Sequence, residues 1–477
     1  MKFENSYSLL PDKFFAQASP ALFPHAKLIS INHELANELG FDETKYSEEE
    51  LAQIFSGQKI LEGSHFLALA YAGHQFGQFV PSLGDGRAIL LGEVKGKNHK
   101  RYDLQLKGSG PTHFSRRGDG KSALGPVVRE YIVSEAMFHL GVPTTRALAA
   151  VATGEFVARE SEMPGGVFTR VASSHLRIGT FEYFAARGDL DALKALVQYS
   201  LKRHYPDVEG PNSALILMQS VIKAQVHLVS KWMSLGFIHG VMNTDNMSIS
   251  GETIDFGPCA FMDYFNPNQV YSYIDRQGRY SYLNQSNILV WNLSRLADCL
   301  IPLVDSDEKQ AIQILNTELS KIKELFKEDF HQNILKKLGI SAATNTENET
   351  MVQLWFEYLA KEKLDFTLSF RHLSQMSKGE TNTPDHFFKN TKEFHHFLSL
   401  WTKVSPDIDM MNGVNPIYIP RNHQVEKAIQ ASLQGDYSLF FKMNQLLKSP
   451  YTEQVGFSGY ELAPNQSEVI KNTFCGT

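Results

Sequence analysis

The chain has 477 residues, 43% hydrophobic and 21% charged, which is the balance of a globular protein large enough for more than one core, neither fibrous nor disordered. Its formal charge of -6 argues against general nucleic-acid binding, which needs clustered Lys and Arg in clear excess. Three cysteines, Cys259, Cys299 and Cys475, are too few and too scattered for a disulfide framework or a zinc site, and they suit a reducing cytoplasm.

The opening segment MKFENSYSLLPDKFF has neither the basic start and apolar run of a secretory signal nor the Arg-rich look of a transit peptide. No apolar stretch reads as long enough to span a bilayer, so no membrane association is expected. Residues 1–60 read as loops and short helices, such as Asn32 to Leu39 closed by Gly40. From Phe66 to Leu106 the chain is rich in glycine and short apolar runs. There, RAILLGEV and YDLQLKG predict strands joined by the basic turn segment Lys95 to Lys100.

Apolar residues then return about every four positions from Pro126, and Gly141 with Pro143 closes the run. This predicts a helix over 126–140. Strands are expected at TTRALAAVAT and GGVFTRVA. Helical periodicity dominates beyond residue 185, including Ala214 to Leu235 and Ile288 to Val304. The chain therefore reads as an N-terminal extension (1–60), a β-rich lobe with one prominent helix (61–184) and a mostly helical lobe (185–477), an α+β bilobal arrangement.

The sharpest chemical signal is GFIHGVMNTDNMSISGETIDFG, residues 236–257. A polar loop runs from His239 to Asn246, and Met247 to Ile249 and Thr253 to Asp255 read as two short strands about a Ser250-Gly251 turn. Such a hairpin brings Asn246 and Asp255 together, two hard oxygen donors of the kind Mg²⁺ takes beside phosphates. The layout is that of a protein-kinase catalytic loop followed by D-F-G.

Upstream, Gly84, Gly86 and Arg87 in SLGDGRAIL form a candidate phosphate-binding turn, although paired glycines also make ordinary hairpin turns. Lys107 ends a strand, and Glu130 lies on the following helix, the pair that positions nucleotide phosphates in kinases. Glu135 competes for that role but lies about 140° round the helix from Glu130, so only one of the two can face the site. Arg170 and Arg177, with Arg116, Arg117 and Asp119 in SRRGDG, are either surface charges or a phosphate clamp. His74 in YAGHQFGQF reads as structural. The aromatic run Phe261 to Tyr282 fits a substrate-facing surface and internal packing equally well.

One position breaks the kinase pattern. The aspartate that accepts the hydroxyl proton in H-R-D-x-x-x-x-N is here Val241, and the loop's only carboxylate is Asp245. Three readings follow: a nucleotide-transferring enzyme using Asp245 in a changed geometry, a phosphotransferase, or a catalytically inactive scaffold.

YAGHQFGQFVPSLGDGRAILLGEV, DLQLKGSGPTHFSRRGDGKSALGPVVREYIVSEAMFHLGVPTTRALAAVATGE and GFIHGVMNTDNMSISGETIDFGPCAFMDYF resemble the selenoprotein O family of kinase-like protein adenylyltransferases. That resemblance implies ATP bound in a flipped orientation and AMP transferred to Ser, Thr or Tyr hydroxyls of protein substrates. It implies Asp245 as proton acceptor and Asn246 and Asp255 as ligands of Mg²⁺, with Mn²⁺ as a substitute. It further implies nucleotide contacts from Gly84, Gly86, Arg87, Lys107, Asp119, Gly120, Arg170, Arg177 and Asp255, with Glu130 paired to Lys107. By the same resemblance, Cys259 and Cys475 form a redox-sensitive disulfide, whereas Cys299, in an apolar helical pattern, reads as an ordinary buried thiol. A monomer is expected.

Overall fold

The computed structural model describes residues 1–341, 345–377 and 387–473. Its strands are β1 (Phe15–Gln17), β2 (Lys27–Ile31), β3 (Leu67–Leu69), β4 (Gly73–Gln75), β5 (Gln78–Val80), β6 (Ala88–Lys95), β7 (Arg101–Lys107), β8 (Ser122–Ala123), β9 (Arg146–Ala158) and β10 (Glu162–Ala172). β1, β3, β6, β7, β10, β9 and β2 hydrogen-bond in that order, with β8 on β10, in one antiparallel sheet. The helices in this half are α1 (His33–Glu38), α2 (Glu48–Ser56) and α3 (Leu124–His139). The strands and long helix expected in this half are all present. β1 and β2 arise in a segment read as loops and short helices, because edge strands of three and five residues carry too little alternation to be seen locally.

The second half is helical: α4 (Ile178–Ala185), α5 (Leu190–His204), α6 (Ser213–Ser234), α7 (Gln285–Val304), α8 (Glu308–Ser320), α9 (Ile322–Lys337), α10 (Thr346–Glu362), α11 (Phe366–Ser377), α12 (Lys392–Trp401), α13 (Ile408–Val414), α14 (Asn422–Leu433) and α15 (Ser438–Leu447). α6 begins where Asn212 Oδ1 accepts from Leu215 N at 2.9 Å, and it runs through the main core with Trp232 only 1% exposed. Contrary to the sequence reading, α6 and α7 are long and apolar enough to cross a membrane. Their apolar windows are 61% and 50% buried inside the fold, where the two helices pack on each other.

α3 has no side-chain N-cap and is held by packing instead. Val127, Val128, Tyr131 and Ile132 are each under 5% exposed, between the sheet on one side and α14 and α15 on the other. Each such burial contributes about 1.5–3 kcal/mol. The last helices of the chain thus brace the helix that carries Glu130.

Arg421, fully buried just before α14, donates to Asp263 Oδ1 and Asp365 Oδ2, both at 2.7 Å, and to the carbonyl of Glu461 at 2.8 Å. It joins the segment after D-F-G to the C-terminal region. Truncating one partner of a buried ionic group strands the others. Arg421→Met is expected to lower unfolding free energy by about 3 kcal/mol, read by urea denaturation; a loss below about 1 kcal/mol would show the cluster to be indifferent to its cation.

Candidate active site

β7 alternates Asp103, Leu104, Gln105, Leu106, Lys107, so its polar side chains share one face. Pairing with β10 sets Arg170 opposite Gln105 and Phe168 opposite Lys107. Lys107, Gln105 and Arg170 therefore project from the same side of the sheet toward the helical half.

D-F-G meets them there. Lys107 Nζ lies 2.6 Å from Asp255 Oδ1, Arg170 Nη1 lies 2.7 Å from the same oxygen, and Arg177 Nη1 lies 2.8 Å from Asp255 Oδ2. Burial alone would raise the Asp255 carboxyl, but the charges of Arg170, Lys107 and Arg177 hold it well below the usual carboxylate range. Asp255 also occupies the left-handed region, φ 64°, a conformation kept where surrounding contacts over-determine it. Lys107 pairs with Glu130 Oε1 at 2.5 Å, as expected. Glu135 faces the other way and takes Arg146 Nη2 at 2.7 Å and the N–H of Ala147 at 2.8 Å.

A cavity of about 870 Å³ opens on this cluster. Its walls include Gly84, Gly86, Arg87, Asp119, Gly120, Asp245 and Asn246 together with Lys107, Arg170, Arg177 and Asp255. Every residue expected at the nucleotide or the metal lines this one space. Two of the glycines answer to protein neighbours: Gly84 has φ 60° and an added Cβ would lie 2.2 Å from the Phe114 ring, while at Gly120, φ 64°, it would lie 2.1 Å from the Gly110 carbonyl oxygen. Asp119 is held at the rim by Arg159, 2.9 Å away. Arg116 lines the cavity, whereas Arg117 is not among its walls.

Asp245 sits in a short 3-10 turn, Thr244–Asn246, and is 7% exposed. Burial raises its carboxyl from 3.8 to about 6 against the lowering effect of Arg177 and Gln75. Arg177 Nη1 also donates to the Asp245 carbonyl oxygen at 2.6 Å, so one guanidinium ties the loop to D-F-G. Asn246 gives its Nδ2 to the Val241 carbonyl at 3.0 Å, which leaves Oδ1 as its oxygen donor. Asn246 Oδ1 and the Asp255 carboxylate fit a hard divalent cation that completes its shell with phosphate oxygens. The expected hairpin between them does not form. Ser248 bridges to Arg177 and Thr253 to Thr144, so segments brought from elsewhere in the chain satisfy these backbones in place of a tight local turn.

Four side chains of the site escaped the sequence reading. Tyr71 stacks its ring under the Arg177 guanidinium, 4.7 Å away. Gln105 accepts from Arg170 Nη2 at 2.5 Å and donates to Asp85 Oδ2 at 3.0 Å. Asp85 is pushed up to about 6 by burial, offset in part by Arg177. Gln75 donates to Asp245 Oδ2 at 3.3 Å. Only Gln105 had a readable signal, the polar alternation of β7.

His74, read as structural, binds Glu182 at 2.5 Å. Cys259 is fully buried, and Cys475, the other half of the expected disulfide, lies outside the described residues. Close by, Thr473 Oγ1 donates to the Pro258 carbonyl at 2.6 Å and Thr473 N to the Tyr271 carbonyl at 2.7 Å.

Residues 1–448 match the family described as "Protein adenylyltransferase SelO". A protein nucleotidyltransferase YdiU of Rhodopseudomonas palustris is 48% identical over 486 residues, covering 100% of this chain and 99% of its own length. The protein of the same name from Rhizobium rhizogenes is 50% identical over 487 residues, with 100% and 97% covered. That from Bradyrhizobium diazoefficiens is 47% identical over 486 residues, with 100% and 99% covered.

Proposed function

Since this chain belongs to the SelO family of protein adenylyltransferases, we propose that its cavity binds ATP with Mg²⁺ and transfers AMP to Ser, Thr or Tyr hydroxyls of protein substrates. The observation that carries this reading is the gathering of three buried cations, Lys107, Arg170 and Arg177, about the single carboxylate of Asp255. A polyphosphate can take over those cations, and the two planar guanidinium groups suit its oxygens.

In this reading the nucleotide lies flipped relative to a kinase, with its β- and γ-phosphates on the three cations and its α-phosphorus toward Asp245. The acceptor hydroxyl gives its proton to the Asp245 carboxylate. Its oxygen forms a bond to the α-phosphorus as the bond from that phosphorus to the bridging β-phosphate oxygen breaks, and pyrophosphate leaves. A carboxyl raised to about 6 is better matched to this than an ordinary aspartate, because a stronger base remains ionised at neutral pH. Asn246 and Asp255 would hold the metal, Mg²⁺ or Mn²⁺, which supplies charge neutralisation at the phosphate oxygens when bound. Lys107 keeps its place through Glu130. The docking of Thr473 beside Pro258 supports a regulatory disulfide between Cys259 and Cys475, formed by passing two electrons and two protons to an external disulfide.

The test is label transfer. The full chain, with Mg²⁺, a reductant and a cell lysate as acceptor, is incubated with ATP labelled at the α- or the γ-phosphate. Label from the α-position alone is expected on protein. Label from the γ-position alone would make the protein a kinase, and none from either would leave a nucleotide-binding scaffold.

A further inference from the structure

The glycine-rich motif YAGHQFGQF folds into the hairpin β4–β5, and three successive residues of it bind the three successive residues that end in the proposed base. The N–H of His74 donates to Thr244 Oγ1 at 2.7 Å, Gln75 Nε2 donates to Asp245 Oδ2 at 3.3 Å, and the N–H of Phe76 donates to Asn243 Oδ1 at 3.0 Å. The hairpin is a small two-stranded unit outside the main sheet, so these contacts are its principal polar engagement with the loop. We propose that the β4–β5 hairpin is a positioning element for the Asp245 carboxylate, with Gln75 and Gly73 as its two contact points. The inference rests on Asp245 as the proton acceptor proposed above.

Geometry confines the carboxylate from both sides. Among the described residues Asp245 Oδ1 is buried with no hydrogen-bond partner, and it rests against Gly73, where an added Cβ would lie 2.6 Å from it and 2.9 Å from the Asp245 Cβ. Leu83 closes the same space, 3.0 Å from that Cβ position. No side chain fits between hairpin and base unless Asp245 moves. The other oxygen, Oδ2, has Gln75, which also lines the cavity. One oxygen is thus located by close packing and the other by an amide donor that carries no charge into the site.

The hairpin itself is made rigid. Its two-residue turn places Phe76 at φ 53° and Gly77 at φ 82°, the left-handed pair that matches strand twist in a tight hairpin. The Phe76 ring meets the Tyr280 ring edge-on at 5.1 Å, and Tyr280 donates its hydroxyl to Asn243 Oδ1 at 2.6 Å. Glu182, on α4, accepts from Thr244 Oγ1 at 2.5 Å through one oxygen and pairs with His74 Nδ1 through the other. Hairpin, loop and α4 therefore share one carboxylate as a common anchor. Reacting groups must be held within a fraction of an ångström for in-line transfer, which gives such a brace its value.

Gln75→Met keeps the side-chain length and removes the donor; Gly73→Ala pushes on the carboxylate. With saturating labelled ATP, Gln75→Met is expected to lower kcat about tenfold, the range for a hydrogen bond to a charged group, and Gly73→Ala about 10²-fold. Affinity for a fluorescent ATP analogue should stay within about twofold in both, because the phosphate cations are untouched. Asp245→Ala is the reference. If it is inactive while Gln75→Met turns over at the wild-type rate, the hairpin inference is overturned. It is equally overturned if Gln75→Met weakens nucleotide binding in parallel with kcat, which would mark a general structural role. If Asp245→Ala transfers AMP normally, the base assignment fails and the hairpin inference fails with it.

Discussion

Asp255→Ala is expected to lose AMP transfer by at least ~10³-fold, since it removes the proposed metal ligand, a contribution of several kcal/mol at the phosphates. The same change has a second, less obvious consequence. In the free protein Asp255 pairs with Lys107, Arg170 and Arg177 at 2.6–2.8 Å, and without it these cations stay buried with Glu130, Gln105, the Asp245 carbonyl and, 3.9 Å from Arg177, Asp85 as near partners. Uncompensated buried charge lowers stability. ATP in the presence of EDTA should then raise the melting temperature of the variant more than that of the wild type, because the triphosphate restores the missing negative charge and no longer competes with a carboxylate. Label incorporation and thermal shift measure the two effects. Transfer retained within about tenfold, or a smaller ATP-induced shift in the variant, would contradict the assignment of Asp255 to both metal and cations.

The second large effect is at Asp245. With Asp245 as the proposed general base, Asp245→Asn should lower kcat by about 10²–10⁴-fold, with little change in nucleotide affinity. In the wild type, kcat/KM should rise about tenfold per pH unit and level off above about pH 6, where the raised carboxyl is ionised. Asp85, also raised to about 6, faces Gln105 and the Leu69 N–H, so an Asp85→Asn control separates the two titrations.

Stability moves the opposite way to activity. A carboxyl whose folded pKa is raised from 3.8 to about 6 contributes fully to stability below 3.8, and that contribution is lost as pH rises through 6. Asp245→Asn removes the buried charge, so at pH 8 the variant should melt above the wild type, and the gain should vanish below about pH 4. A variant less stable at pH 8 would show that burial is not what raises this group.

Glu130 and Glu135 show how far the sequence reaches. Helical phase dictates that only one of them can face Lys107, and that much is readable from a five-residue spacing. Which one does so depends on how α3 is rotated against the sheet, and the apolar stripe packed between β9, β10, α14 and α15 sets that rotation. The main strands, α3, α6, α7 and the series from glycine turn to D-F-G were all legible, because strong periodicity and ordered motifs are local. The catalytic-loop hairpin was misread for the converse reason: Ser248 and Thr253 pair with Arg177 and Thr144, which are distant in sequence.

By itself, then, the sequence determined the order of elements, the family resemblance and the residue types available for phosphate, metal and proton. Tertiary structure decided that three cations converge on one carboxylate, that Asp245 is buried and its pKa raised, and that a hairpin read as ordinary glycine-rich chain lies against it. Those facts depend on distances between segments up to 170 residues apart. Desolvation and charge pairing are properties of the assembled space, and no local pattern encodes them.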